Sequence, residues 1–136
     1  MIVEDNLADA ELAKEFFQET GLDVVVTIIN DGQKAIELFQ RMDGKSEERP
    51  DLVLLDLSIP KRSGHEVLEF VRRYDSRIKV ILYTGSKSPD DFKKAKENKA
   101  DSYLVKPMTM NEIDAVVKEL KNILTSLAIT SYSNGA

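Results

Sequence analysis

The sequence predicts an α/β protein, a doubly wound (βα)5 three-layer sandwich built on a five-stranded parallel sheet. Two observations predict it. Short continuous apolar runs recur along the chain at Met1–Val3, Val24–Ile29, Leu52–Leu55, Val80–Tyr83 and Tyr103–Val105. They are too short for helices, rich in Val and Ile, and do not alternate with polar residues, as expected of strands covered on both faces. Amphipathic segments of helical period separate them, and parallel neighbours need such crossovers.

The first helix is marked by Leu12, Ala13, Phe16 and Phe17, and Gly21 can end it. Asp31-Gly32 reads as a turn into the second, whose apolar positions are Ala35, Ile36 and Phe39. The third carries Val67, Leu68 and Val71, and the fourth, more weakly, Phe92 and Ala95. Ser88-Pro89-Asp90-Asp91 offers that fourth helix an N-cap serine, a proline at its first position and acids in its first turn. Thr109-Met110-Asn111-Glu112 has capping-box spacing before the fifth helix, which is marked by Ile113, Val117, Leu120 and Leu124 and should end near 124–127. Met42–Pro50 reads as a long polar surface loop. The first apolar run is short for a core strand, so either that strand is abbreviated or the natural protein begins several residues earlier.

At 136 residues the chain fits one domain, expected over 1–127, with 128–136 a mobile C-terminal tail. Its net charge of -5 argues against nucleic acid as a direct partner. The absence of cysteine excludes disulfides, thiolate metal sites and cysteine nucleophiles. No run approaches the about 18 apolar residues of a membrane span, and the N-terminus lacks the pattern of a signal peptide. A cytoplasmic protein with no membrane partner is expected.

Glu4-Asp5, Asp56, Thr84 and Lys106-Pro107 each fall at or just past the C-terminal end of a predicted strand. In an open α/β sheet that edge is where sites form. Asp5 and Asp56 could supply two carboxylates to Mg2+, with Glu4 holding a metal-bound water. Asp56 directly follows a stiff buried strand, which makes it the candidate nucleophile for an aspartyl phosphate. Lys106 would set its ammonium against phosphoryl oxygens and Thr84 would donate its hydroxyl, while Gly85 and Ser86 leave room. An X-Pro bond makes a cis Lys106-Pro107 peptide cheap, and it would help aim the lysine.

Together Val3-Glu4-Asp5-Asn6, Leu54-Leu55-Asp56-Leu57-Ser58-Ile59-Pro60, Ser63-Gly64, Thr84-Gly85 and Tyr103-Leu104-Val105-Lys106-Pro107 resemble the response-regulator receiver domain of two-component signalling. The opening and the long loop are similar to those of single-domain phytochrome-associated and archaeal receivers. The resemblance implies a flavodoxin-like sheet of order 2-1-3-4-5. It also implies that Asp56 is the phosphoacceptor, fed by a sensor histidine kinase or phosphotransfer protein. Mg2+ would bind Asp5, Asp56 and the backbone carbonyl of Ser58. Thr84 and Tyr103 would form the switch pair, the ring turning inward. The surface of the fourth helix, fifth strand and fifth helix would bind a downstream partner.

Any homodimer contact through that surface or the C-terminal region is secondary to the last helix's core role. Such a domain catalyses its own phosphorylation and dephosphorylation and is not an enzyme with a separate substrate. An aspartate-nucleophile phosphohydrolase would need a second aspartate where Ser58 stands. A receiver cut from a larger DNA-binding regulator or hybrid kinase is the third reading. His65 is expected to be exposed, and the lysines at 87, 93, 94, 96 and 99 to form a solvated face.

Overall fold

The computed structural model describes residues 1–42 and 49–135, with residues 124–135 described by their backbone alone. The elements run β1 (Ile2–Val3), α1 (Leu7–Glu19), β2 (Ile28–Ile29), α2 (Gly32–Arg41), β3 (Leu52–Leu55), α3 (Gly64–Tyr74), β4 (Lys79–Thr84), α4 (Pro89–Glu97), β5 (Ser102–Val105) and α5 (Met110–Gly135). All strand pairs are parallel, in the order β2-β1-β3-β4-β5. This is the expected flavodoxin-like (βα)5 arrangement. No described helix is long and apolar enough to cross a membrane.

Strand side chains alternate between two cores, because successive residues point to opposite faces of a sheet. Val53 and Leu55 of β3, with Val80 and Leu82 of β4, pack against Ala35 and Phe39 of α2, Val67, Leu68 and Val71 of α3, and Ala95 of α4. Leu52 and Leu54 face the other way, joining Ala13 and Phe17 of α1 and Val116 and Leu120 of α5. Each buried Val, Leu or Phe contributes on the order of 1.5–3 kcal/mol relative to exposure. Helices therefore cover both faces, which explains the unbroken apolar strand sequences.

The caps follow the sequence. Asn6, Asp31, Ser63 and Ser88 each accept a bond from the backbone amide three residues on. Thr109 and Glu112 exchange reciprocal bonds, Thr109 N–H to Glu112 Oε1 at 2.9 Å and Glu112 N–H to Thr109 Oγ1 at 3.2 Å. Thr20 caps the end of α1 and is followed by Gly21 at φ +74°. That left-handed conformation is one glycine adopts without a Cβ penalty.

Three expectations need correction or qualification. β2 pairs only at Ile28 and Ile29, not from Val24, because β1 presents just two residues to its ladder. Val24, Val25, Val26 and Thr27 instead line a cavity of about 460 Å³ with Leu52 and Leu120. α5 does not stop near 124–127; its backbone stays helical to Gly135, no proline or glycine intervening to end it. Of the expected Met42–Pro50 loop, residues 43–48 lie outside the described residues.

Candidate functional site: an acidic cluster and its lysine

The strand order places a switch point between β1 and β3, where the neighbouring crossovers leave to opposite faces and open a crevice at the strands' C-terminal ends. α1 follows β1 onto one face, and α3 follows β3 onto the other. Registers align Val3 with Leu55, Leu55 with Leu82, and Leu82 with Tyr103. One residue further, Glu4 and Asp56 leave the two central strands side by side. Their backbones are still held, Asp56 N–H by Val3 O at 3.0 Å and Glu4 N–H by Ile29 O at 2.9 Å. The abbreviated β1 thus still fixes Glu4.

Glu4 and Asp56 are buried, and Asp5 is exposed at the rim. One carboxylate oxygen from each lies within 4.8 Å of the others. Lys106, just past β5 and on a cis bond to Pro107, extends its Nζ into the cluster. It donates to Glu4, to Asp9 Oδ2 at 2.9 Å and to Asp56 Oδ2 at 3.1 Å, while its ammonium sits 5.4 Å from the centre of the Tyr83 ring. Asp56 Oδ1 accepts the Ser58 amide at 3.1 Å. A donor thus reaches each oxygen of Asp56, and the carboxylate is held from both sides.

The charges explain the titration. Burial, reinforced by the Asp56 carboxylate and only partly offset by Lys106, pushes Glu4 up to about 7. Burial also acts against ionised Asp56, but the Ser58 amide, Glu4 and Lys106 outweigh it and hold Asp56 below the ordinary carboxylate range. Burial opposes charged Lys106 as well; hydrogen bonds to Glu4, Asp9 and Asp56 overcome it and raise its pKa. One lysine faces three carboxylates, with Asp5 beside them. The donor set is all oxygen, negatively charged and open at the Asp5 rim, which suits a hard divalent cation.

Thr84 ends β4 fully buried, its Oγ1 accepting the Ser86 amide at 3.3 Å, and its carbonyl accepts the Lys106 amide at 2.8 Å. Tyr103 is half-buried, its hydroxyl donating to Ser86 O at 3.0 Å and its ring meeting Phe92 edge-on at 5.6 Å between centroids. Ser58 is exposed beside Asp56. The five lysines around α4 are exposed, as expected.

The loop after Asp56 is pinned by glycine. Gly64 donates to Leu57 O at 3.0 Å, and a Cβ there would lie 2.4 Å from Asp56 O. Only glycine lets α3 start this close to the end of β3.

Sequence reasoning missed Asp9 and misplaced His65. Asp9 sits in the first turn of α1, its amide capped by Asn6, which turns it toward the sheet edge and Lys106. His65 is buried, not exposed, with Nε2 3.0 Å from Asp91 Oδ1. Its burial depends on a partner 26 residues away, which no local pattern announces. The available signal was the pair of acids opening α4.

A family model described as the response regulator receiver domain matches residues 1–118. The chain is 36% identical over 123 residues to FilR2, a probable methanogenesis regulatory protein of Methanothrix harundinacea, covering 89% of this chain and 79% of that protein. It is 30% identical over 125 residues to response regulator Rcp1 of Synechocystis, covering 90% and 85%. The solved structure of the Mn(2+)-bound form of Rcp1 superposes with a TM-score of 0.70 at 31% identity, over 88% of each chain. That of the phosphorylated cyanobacterial phytochrome response regulator RcpA gives 0.72 at 29% identity, over 93% of this chain and 92% of the other. Sheet order, acidic cluster and similarity agree: the chain belongs to the response regulator receiver-domain family.

Proposed function

We propose that Asp56 is the residue on which this receiver domain accepts a phosphoryl group, and that Lys106, Thr84 and the Glu4-Asp5 pair assist it. Receiver domains take a phosphoryl group from a histidine kinase or phosphotransfer protein and modify themselves rather than turning over a separate substrate. The observation that carries the assignment is the two-sided hold on Asp56: Ser58 N–H on Oδ1 and Lys106 on Oδ2, at the end of a buried strand. An oriented, ionised carboxylate is what in-line attack on phosphorus requires.

In the transfer, an Asp56 oxygen bonds to phosphorus as the phosphorus–nitrogen bond of the donor breaks and its electron pair returns to the imidazole. Lys106 then faces a phosphoryl oxygen, and Thr84 has its hydroxyl at the neighbouring strand end. Mg2+ would be held by Asp5, Asp56 and the Ser58 carbonyl, with Glu4 on a metal-bound water. Bound there, it would offset the negative charge of the incoming phosphoryl oxygens.

Tyr103 and Thr84 serve as the switch. Both already touch Ser86, so a hydroxyl drawn toward the phosphoryl group pulls the loop that Tyr103 grips. The α4–β5–α5 surface carries that change to a downstream protein, and a homodimer through this surface or the C-terminal region is a second use of it. No nucleic-acid contact is assigned, in keeping with the charge of -5. Incubation with Mg2+ and acetyl phosphate, read by intact mass, tests the proposal. One added phosphoryl group on the native chain and none on Asp56→Asn supports it; equal labelling of the two sinks it.

A further inference from the structure

His65, at the start of α3, is buried, and among the described residues its Nδ1 has no hydrogen-bond partner. A buried ring nitrogen without a partner is a cost that an aliphatic side chain would avoid. The other ring nitrogen, Nε2, lies 3.0 Å from Asp91 Oδ1. The other oxygen of Asp91 accepts the Ser86 hydroxyl at 2.6 Å. The same Ser86 hydroxyl accepts the Ser88 amide at 3.2 Å. Its single proton and a lone pair are both engaged. Ser86 lies two residues past Thr84, beside the proposed phosphoryl site, and its amide and carbonyl are bound by Thr84 Oγ1 and the Tyr103 hydroxyl.

We propose that His65 and Asp91 are positioning residues that hold the Ser86 hydroxyl away from the phosphoryl site and so lengthen the life of the phosphorylated state. His65 donates from Nε2 to Asp91 and fixes its carboxylate, and Asp91 accepts the hydrogen bond of the Ser86 hydroxyl. A freed Ser86 hydroxyl regains a donor next to Thr84, where it can orient water toward phosphorus. That water breaks the bond between phosphorus and Asp56, restoring the carboxylate and releasing inorganic phosphate. The chain of contacts spans α3, α4 and the β4–α4 loop, so it lies outside the acidic cluster and ends on the residue whose amide binds Thr84 Oγ1.

The inference rests on Asp56 phosphorylation, and both are read in one experiment. The protein is labelled with acetyl phosphate and Mg2+, the donor is removed, and loss of the label is followed by intact mass. Asp91→Ala and His65→Leu should each shorten the half-life about three- to tenfold, the factor that corresponds to one hydrogen bond. The double variant should go no further than either single one, as expected for residues acting in series. His65→Gln, which keeps a donor near Nε2, should restore the native half-life. In a Ser86→Ala background neither substitution should matter.

Native half-lives in both single variants would overturn the proposal. So would undiminished shortening without the Ser86 hydroxyl, which would assign the pair to holding the fold. An unlabelled native protein would instead refute the Asp56 assignment, and the present inference with it.

Discussion

Lys106 reaches Asp56 across the sheet edge, Nζ donating to Oδ2 at 3.1 Å between residues 50 apart in the chain. The same ammonium serves Glu4 and Asp9. One cation therefore balances most of a site built to attract another. Breaking a buried ion pair from one side costs more than the pair itself contributes, because the remaining charges lose their compensation.

Lys106→Met should therefore destabilise the metal-free protein at neutral pH by about 2 kcal/mol, below the fully buried range because the lysine is partly solvated. The same variant should slow labelling by acetyl phosphate at least about tenfold, since charge stabilisation dominates phosphoryl transfer. Urea unfolding with a time course of intact mass checks both.

Glu4 sets a pH dependence. Its folded pKa of about 7 stands above the ordinary 4.5, so the folded state holds the extra proton between those values. Its contribution to stability is fully present below 4.5 and is lost as pH rises through about 7. Bound Mg2+ would favour the ionised form. The increase in thermal midpoint on adding Mg2+ should thus be larger at about pH 8 than at about pH 5. Calorimetry at the two pH values checks it, and Glu4→Gln should flatten the difference.

Gly64→Ala tests the close approach behind Asp56. Its Cβ would meet backbone at 2.4 Å, which no side-chain rotation relieves. Overpacking of this kind costs about 1–3 kcal/mol, and here the shift falls on the carbonyl of Asp56 itself. Both the unfolding midpoint and the labelling rate should fall. Ala in place of exposed Gly85, where an added Cβ has open space, should leave stability within about 0.5 kcal/mol.

Tyr103→Ala removes the hydroxyl bond to Ser86 O and the edge contact with Phe92, but touches none of the groups around Asp56. Labelling should persist within about twofold while affinity for the downstream partner falls at least about tenfold, as loss of a central aromatic anchor does. Pull-down or calorimetric titration of phosphorylated protein with its partner reads the difference.

Much of this site was legible because strand ends are legible. Asp56 and Thr84 follow apolar runs whose position fixes theirs, and parallel order brings such ends to one edge. Ser88-Pro89 and Thr109-Glu112 announced their helices because capping is local chemistry. What failed was decided at a distance. Leu12 fits the helical period of α1 but is 63% exposed, while small Ala10 faces the sheet at 1%. His65 looked like a surface residue until Asp91 of α4 came to meet it. Asp9 carries no signal apart from its turn, since its partner Lys106 lies 97 residues on. The extent of β2 depended on how much of β1 there was to pair with.

Chemical trapping locates the phosphoryl group on the chain. Borohydride reduces an aspartyl phosphate to homoserine, so the labelled protein is reduced, digested and sequenced by tandem mass spectrometry. Homoserine is expected at position 56 and nowhere else. Homoserine at position 5 or 9, or a phosphate surviving on Ser58 or Ser86, would contradict it.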